Sequence, residues 1–275
     1  MAALDYLVTV DSYPKPDDKI RSTSFQVHGG GNIGNAMTCA ARLGLTPRSI
    51  SKVADDSQGK RILNELEADG IDTSFIVKTR TSIYTPEYPP MVADDLPDSS
   101  LSSALDDMER GSSIAGGLIS MLLKLPSTKF VIATLGEDGC VMIERAETGD
   151  IQPEEVDIDD LFEKKQSIDT TSTLPTCKTS DGNYRTLFKM LQSCTRKGLG
   201  LCVGTAEKIP SSEIVDTTGA GDAFVGAVLY SLCANFPPEK MLIYASQVAA
   251  IGCRALGARD GLPHLTDPRL LPFLA

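Results

Sequence analysis

Twice in this chain an apolar or β-branched run leads into a glycine cluster that opens a helical pattern, and that order points to an α/β architecture. The first instance is RSTSFQV, then HGGGNIGNA from His28 to Ala36, then MTCAARL. The second is Ile214-Val215, then DTTGAGDAF, then VGAVLYSL. Glycines at such junctions let the backbone turn sharply, and their uncovered N–H groups gather at the start of a helix. Further strand patterns occupy residues 2–10, 20–27, 49–53 and 200–204, and helical patterns occupy 33–43, 57–68, 113–123, 220–234 and 238–256. Ser57 reads as a helix cap and Gly70 as a stop. A last short helix is expected near the C-terminus. The nearly continuous apolar run KFVIATL at 129–135 reads as a buried parallel strand, with 139–143 as its hairpin partner. The alternation of strands and helices predicts an α/β sheet.

Charge narrows the partners. With 26 Lys and Arg against 37 Asp and Glu, the formal charge is −11, which argues against nucleic acid because phosphate-backbone binding needs a basic face. An anionic substrate stays compatible, since helix N-termini bind phosphate without net positive charge. The seven cysteines are scattered and form no CxxC pair, as expected for reduced thiols in a cytoplasmic or organellar-stroma protein. No segment approaches the ~18 apolar residues of a membrane span, and Asp5 interrupts the N-terminal apolar run, so neither a membrane partner nor a signal peptide is expected. Residues 79–103 form a proline- and acid-rich connection. Residues 145–195, acidic and then rich in Ser, Thr and Pro, read as a flexible insertion.

The two glycine loops suggest different chemistry. Gly29, Gly31 and Gly34 spell G-x-G-x-x-G, and the pair Asp55-Asp56 follows at the distance of a ribose-binding carboxylate, so an NAD-dependent oxidoreductase is one alternative. Against it, two strands precede this loop, whereas a dinucleotide loop follows the first strand of its unit. In the second loop, Gly219, Ala220 and Gly221 can aim consecutive N–H groups at negative charge. Asp222, in the first helical turn, stands where a general base would accept the proton of an attacking hydroxyl. The plainer alternative is a tight turn in which Asp222 only complements the helix dipole.

DTTGAGDAF, together with GGGNIGNAM…ARLG earlier in the chain, resembles the two signatures of the ribokinase-like, or PfkB-type, carbohydrate kinases. The flanking pieces ALDYLVTVDSYPKPDD, KFVIATLGEDGCV and ASQVAAIGCRALGARDGLP follow in that family's order. The resemblance implies one three-layer α/β/α Rossmann-like domain over residues 1–275, with a β lid from about 5–30 and 73–90. It implies an ATP-dependent transfer of phosphate to a hydroxyl of a small sugar or nucleoside, with Mg2+ and K+ as ions, and homodimerisation through the lid. Asp222 would be the catalytic base, and the amides of Gly219, Ala220 and Gly221 the anion hole. Asp5, Gly30, Gly31, Asn32 and Asn35 would hold substrate hydroxyls. Gly136 and Gly139 would lie by the nucleotide phosphates and Ser246 near the adenine or ribose. Asp216 and Thr218 would help bind the monovalent cation.

The sequence also departs from that family. Residues 73–84 leave room for a reduced lid only. The short interval between Met91 and Val131 lacks further βα units and the Asn-x-x-Glu motif associated with magnesium. The literal match Asn64-Glu-Leu-Glu67 sits in the early helix, and no hydroxyl residue stands at Gly261. An internally shortened kinase is therefore expected. The alternative is a catalytically impaired relative that binds a ligand or a partner.

Overall fold

The computed structural model describes residues 3–12, 15–79, 114–145, 173–179 and 199–274. In chain order the first elements are β1 (Ala3–Thr9), β2 (Ser24–Gly30), α1 (Asn32–Arg42), β3 (Arg48–Ala54), α2 (Ser57–Ala68) and β4 (Asp72–Thr79). Then come α3 (Ile114–Lys124), β5 (Phe130–Thr134), β6 (Cys140–Arg145), β7 (Cys177–Thr179) and β8 (Leu199–Gly204). The last are α4 (Ala220–Cys233), α5 (Pro238–Gly252) and α6 (Leu271–Leu274). The chain divides into two compact units, one of residues 1–85, 209–236 and 247–275, the other of residues 86–208 and 237–246. The connection expected at 79–103 lies outside the described residues beyond Thr79. So do residues 80–90 of the expected lid, and most of the insertion expected at 145–195.

In the first unit β1 and β2 pair antiparallel, with Asp5 opposite His28 and Val8 opposite Phe25. One face of this hairpin carries Tyr6, Val8 and Phe25, all more than half exposed. The second strand begins at Ser24 rather than at residue 20 and continues through Gly29 and Gly30. Strands β3 and β4 are parallel and joined through α2, a βαβ unit. The cap of α2 is Asp56 rather than Ser57: its carboxylate accepts from the Gly59 N–H at 2.8 Å. Asp55-Asp56 is thus a strand-to-helix turn. Gly70 ends the helix at φ 81°, where a side chain would be strained. Val53, Leu63, Leu66, Ile71 and Ile76 form the core between α2 and its strands, joined by Met37 and Ala41 of α1.

In the second unit the strand order is β5-β6-β8-β7, with every described pairing antiparallel. The hairpin of β5 and β6 forms as expected. Among the described residues KFVIATL has no parallel neighbour: β5 ends the row, and its one described partner is β6 of the hairpin. It is β6 that is buried on both faces, from Cys140 to Ile143. Val141 and Ile143 pair with Val203 and Leu201 on one face, and there Leu118, Ile119 and Leu122 of α3 cover them. Leu122→Ala, at a site 1 % exposed, is expected to cost about 2–5 kcal/mol, read as a lower urea midpoint. Burial pushes the thiols of Cys39, Cys177 and Cys202 up to about 12, which keeps them protonated near neutral pH.

Candidate active site

The loop before α4 is tied down residue by residue. The N–H groups of Val215 and Asp216 donate to the Cys253 carbonyl at 2.9 and 3.2 Å. The Asp216 carboxylate accepts from the Thr218 N–H at 2.9 Å and from the Gly257 N–H at 2.8 Å, joining two loops. Burial pushes the Asp216 carboxyl up, but these hydrogen bonds from Thr218 and Gly257 outweigh it and hold it below the usual carboxylate range. Gly219 follows at φ 77° as the residue preceding α4. A Cβ there would stand 2.6 Å from the Ala258 Cβ, so both conformation and space demand glycine. Gly221 has nothing within 4 Å of where its Cβ would be. The first turn of α4 thus presents backbone N–H groups beside open space, with Asp222 next in the chain.

Asp222 is reached from α1. The Asn35 amide donates to Asp222 Oδ2 at 2.9 Å, and no other protein group bonds this carboxylate among the described residues. Asn35 Oδ1 accepts from Arg259 Nε at 2.9 Å, while the Arg259 Nη2 donates to the Gly30 carbonyl at 3.0 Å. Asn35 and Arg259 are only 4 % and 6 % exposed, so the bonds from Arg259 to Asn35 and Gly30 are buried, while the one to Asp222 is part-buried. Burial pulls the Arg259 guanidinium below its ordinary range, against the opposing pull of Asp69, Glu65 and Asp5; an arginine keeps its charge under such a load. Arg42 braces the same loop, donating to the carbonyls of Arg259 and Leu262 while paired with Asp69 at 3.2 Å.

The glycines of the first loop make room for protein groups. A Cβ on Gly30 would lie 2.0 Å from Asp5 Oδ2, and one on Gly29 would lie 2.3 Å from Arg259 Nη1 and 2.4 Å from Glu65 Oε2. The space a dinucleotide pyrophosphate would take beside Gly29 is therefore filled by a guanidinium and a carboxylate. Gly31 precedes α1 at φ 81°, and Asn32 stands exposed at its first position.

Of the residues singled out from the sequence, Asp5, Gly30, Asn35 and Asp222 fall in one contact network, with Gly31, Asn32, Asp216, Thr218, Gly219, Ala220 and Gly221 in the same unit. Gly136, Gly139 and Ser246 belong to the other unit. There Gly136, at φ 61°, faces open space, and Gly139, at φ 93°, lies against the Gly204 carbonyl. Ser246 is buried in α5 at 7 % exposure. Arg259 and Glu65 were not foreseen. Arg259 sits in ALGARDGLP, between turn residues, where an arginine reads as solvated; nothing local marks it as buried.

The sequence and the fold both have counterparts. Residues 2–87 and 203–265, more than half of the chain, match the pfkB family carbohydrate kinase profile. The ribokinase of Bacillus subtilis (strain 168) is 27% identical over 274 residues, spanning 95% of this chain and 93% of that protein. Among solved structures, Arabidopsis thaliana ribokinase complexed with ribose and ATP aligns with a TM-score of 0.57 at 16% identity, covering 99% of this chain and 96% of that one. A structure from E. coli in complex with ATP and Mg2+ aligns with a TM-score of 0.55 at 16% identity, covering 98% and 96%. These alignments show the ribokinase-type α/β fold. Both glycine loops lie inside the matched segments, and the chain belongs to the pfkB family of carbohydrate kinases.

Proposed function

We propose that this chain transfers the γ-phosphoryl group of ATP to a sugar hydroxyl, with Asp222 as general base and the amides of Gly219, Ala220 and Gly221 as anion hole. The observation that carries this reading is the first turn of α4. There an acceptor-only carboxylate, held on one oxygen by Asn35, adjoins N–H groups that open onto empty space at Gly221. The free Oδ1 takes the proton of the attacking hydroxyl as the new O–P bond forms and the bond from the γ-phosphorus to ADP breaks. The anion hole compensates charge on the transferring group.

Asp5 and Asn32 supply the polar contacts to the sugar beside the Gly30-Gly31 backbone, where Gly30 makes room for the Asp5 carboxylate. Asn35 has both ends of its amide engaged by protein, so its main work is to hold Asp222. In the second unit the open face of Gly136 suits a phosphate, and Gly139 shapes the turn that presents it. Among the described residues no three His, Cys, Asp or Glu side chains converge into a metal cage. A Mg2+ accompanying ATP would compensate phosphate charge. Asp216 and Thr218 are the residues for a monovalent cation, since Asp216 stays ionised against the loop that shapes the anion hole.

The test is ADP release on mixing the protein with ATP, Mg2+ and each of a panel of pentoses, ketoses and nucleosides. The expected result is acceptor-dependent ADP formation with a sugar, faster in KCl than in choline chloride. A folded protein that forms no ADP with any acceptor would overturn the reading. Equal rates in the two salts would remove only the cation.

A further inference from the structure

We infer that Arg259 is a positioning residue that fixes which way the Asn35 amide faces and thereby aims Asp222. The inference rests on the reading of Asp222 as the base, but its geometry stands apart from it. An amide can present either its oxygen or its nitrogen to a neighbour, and the two orientations differ little in shape. Here the neighbours decide. Arg259 is donor-only, so the end of Asn35 that meets Arg259 Nε must be Oδ1. The Nδ2 end is then turned to Asp222, which is acceptor-only when ionised, and donates to its Oδ2 at 2.9 Å. The direction runs from donor through amide to acceptor, and Arg259 anchors the end of it that Asp222 does not reach.

Arg259 is itself fixed on several sides. Its Nη2 donates to the Gly30 carbonyl, its Nη1 lies against Gly29, and its own carbonyl accepts from Arg42 at 2.6 Å. Asp5, Glu65 and Asp69 surround it with negative charge, with Arg42 the opposing cation. The planar fork therefore reaches two partners at once, the side chain of Asn35 and the backbone of Gly30. A lysine at this position keeps the charge that these carboxylates need but has a single ammonium on a flexible stem. With the fork gone, Asn35 Oδ1 loses its anchor and Asp222 alone holds the amide, so the amide can swing and the carboxylate loses its fixed facing.

The experiment compares the wild type with Arg259→Lys and Arg259→Met by steady-state sugar phosphorylation and by NMR of the 15N-labelled Asn35 side-chain amide, assigned with Asn35→Asp. Arg259→Lys is expected to stay folded and to lower kcat about 10-fold to 100-fold with KM changed less than about threefold, as for a misaimed catalytic group. Its Asn35 NH2 resonances are expected to move and exchange with solvent faster. Arg259→Met is expected to show the same amide change wherever it folds. An Arg259→Lys protein with wild-type kcat, or with unmoved Asn35 resonances, overturns the inference. If the wild type itself forms no product, the kinase reading fails by that result, and the amide spectra alone decide whether Arg259 orients Asn35.

Discussion

Asp222→Asn is expected to lower sugar phosphorylation by about 10²–10⁴-fold, the range a general base supplies. The substitution is close to isosteric. An asparagine oxygen still accepts from the Asn35 amide, so the hydrogen bond that joins α1 to α4 survives. What disappears is the second carboxylate oxygen and its capacity to take a proton. Binding should persist, because the groups proposed for the sugar are Asp5, Asn32 and the Gly30-Gly31 backbone. The measurement is a pair: the rate of ADP release, and the rise in melting temperature on adding sugar. Loss of rate with the thermal shift retained is the expected pattern. An unchanged rate would remove Asp222 from the chemistry.

The second large effect is expected at Gly226, one helical turn after Asp222 on α4. A Cβ at this position would lie 2.5 Å from the Ala36 carbonyl oxygen and 2.6 Å from the Cys39 Cβ. The first of these is backbone and cannot swing away. Gly226→Val therefore has to push α1 and α4 apart, at a cost of about 3 kcal/mol, the upper part of the range for overpacking. It also breaks the hydrogen bond from the Cys39 thiol to the Ala223 carbonyl. Because residues one turn apart share a helix face, the same displacement stretches the Asn35–Asp222 contact. Urea unfolding should show the lower stability, and kcat should fall in the fraction that remains folded. Gly221→Ala is the control, since its new methyl group meets empty space and should change stability by less than about 0.5 kcal/mol.

Much of this was readable in the chain, for reasons that differ by element. Helix α2 runs over the residues its pattern marks because its ends carry strong local signals, an acid before it and Gly70 after it. The identity of its cap was missed, since Asp56 and Ser57 are both good caps and only the backbone dihedrals choose between them. The hairpin at β5 and β6 was legible from its turn, but the apolar run in β5 misled: which strand is buried on both faces depends on what packs there. At the site, glycine spacing placed Gly219, Gly221 and Asp222 correctly on a helix N-terminus. Arg259 was invisible because its partners, Asn35 and Gly30, lie at the other end of the chain.

That distance has a consequence for how the protein comes into being. The bond from Asn35 to Asp222 spans 187 residues of sequence, and those from Arg259 to Asn35 and Gly30 span 224 and 229. Contacts of such separation carry the largest loop-closure entropy and form late in folding. During synthesis the first glycine loop leaves the ribosome long before the arginine that orients it. The βαβ unit of β3, α2 and β4 can form from local contacts while translation continues. The hydrogen-bond chain from Gly30 through Arg259 and Asn35 to Asp222 closes only once residue 259 has emerged, so for most of its synthesis the nascent chain carries its first glycine loop without the partners that hold it.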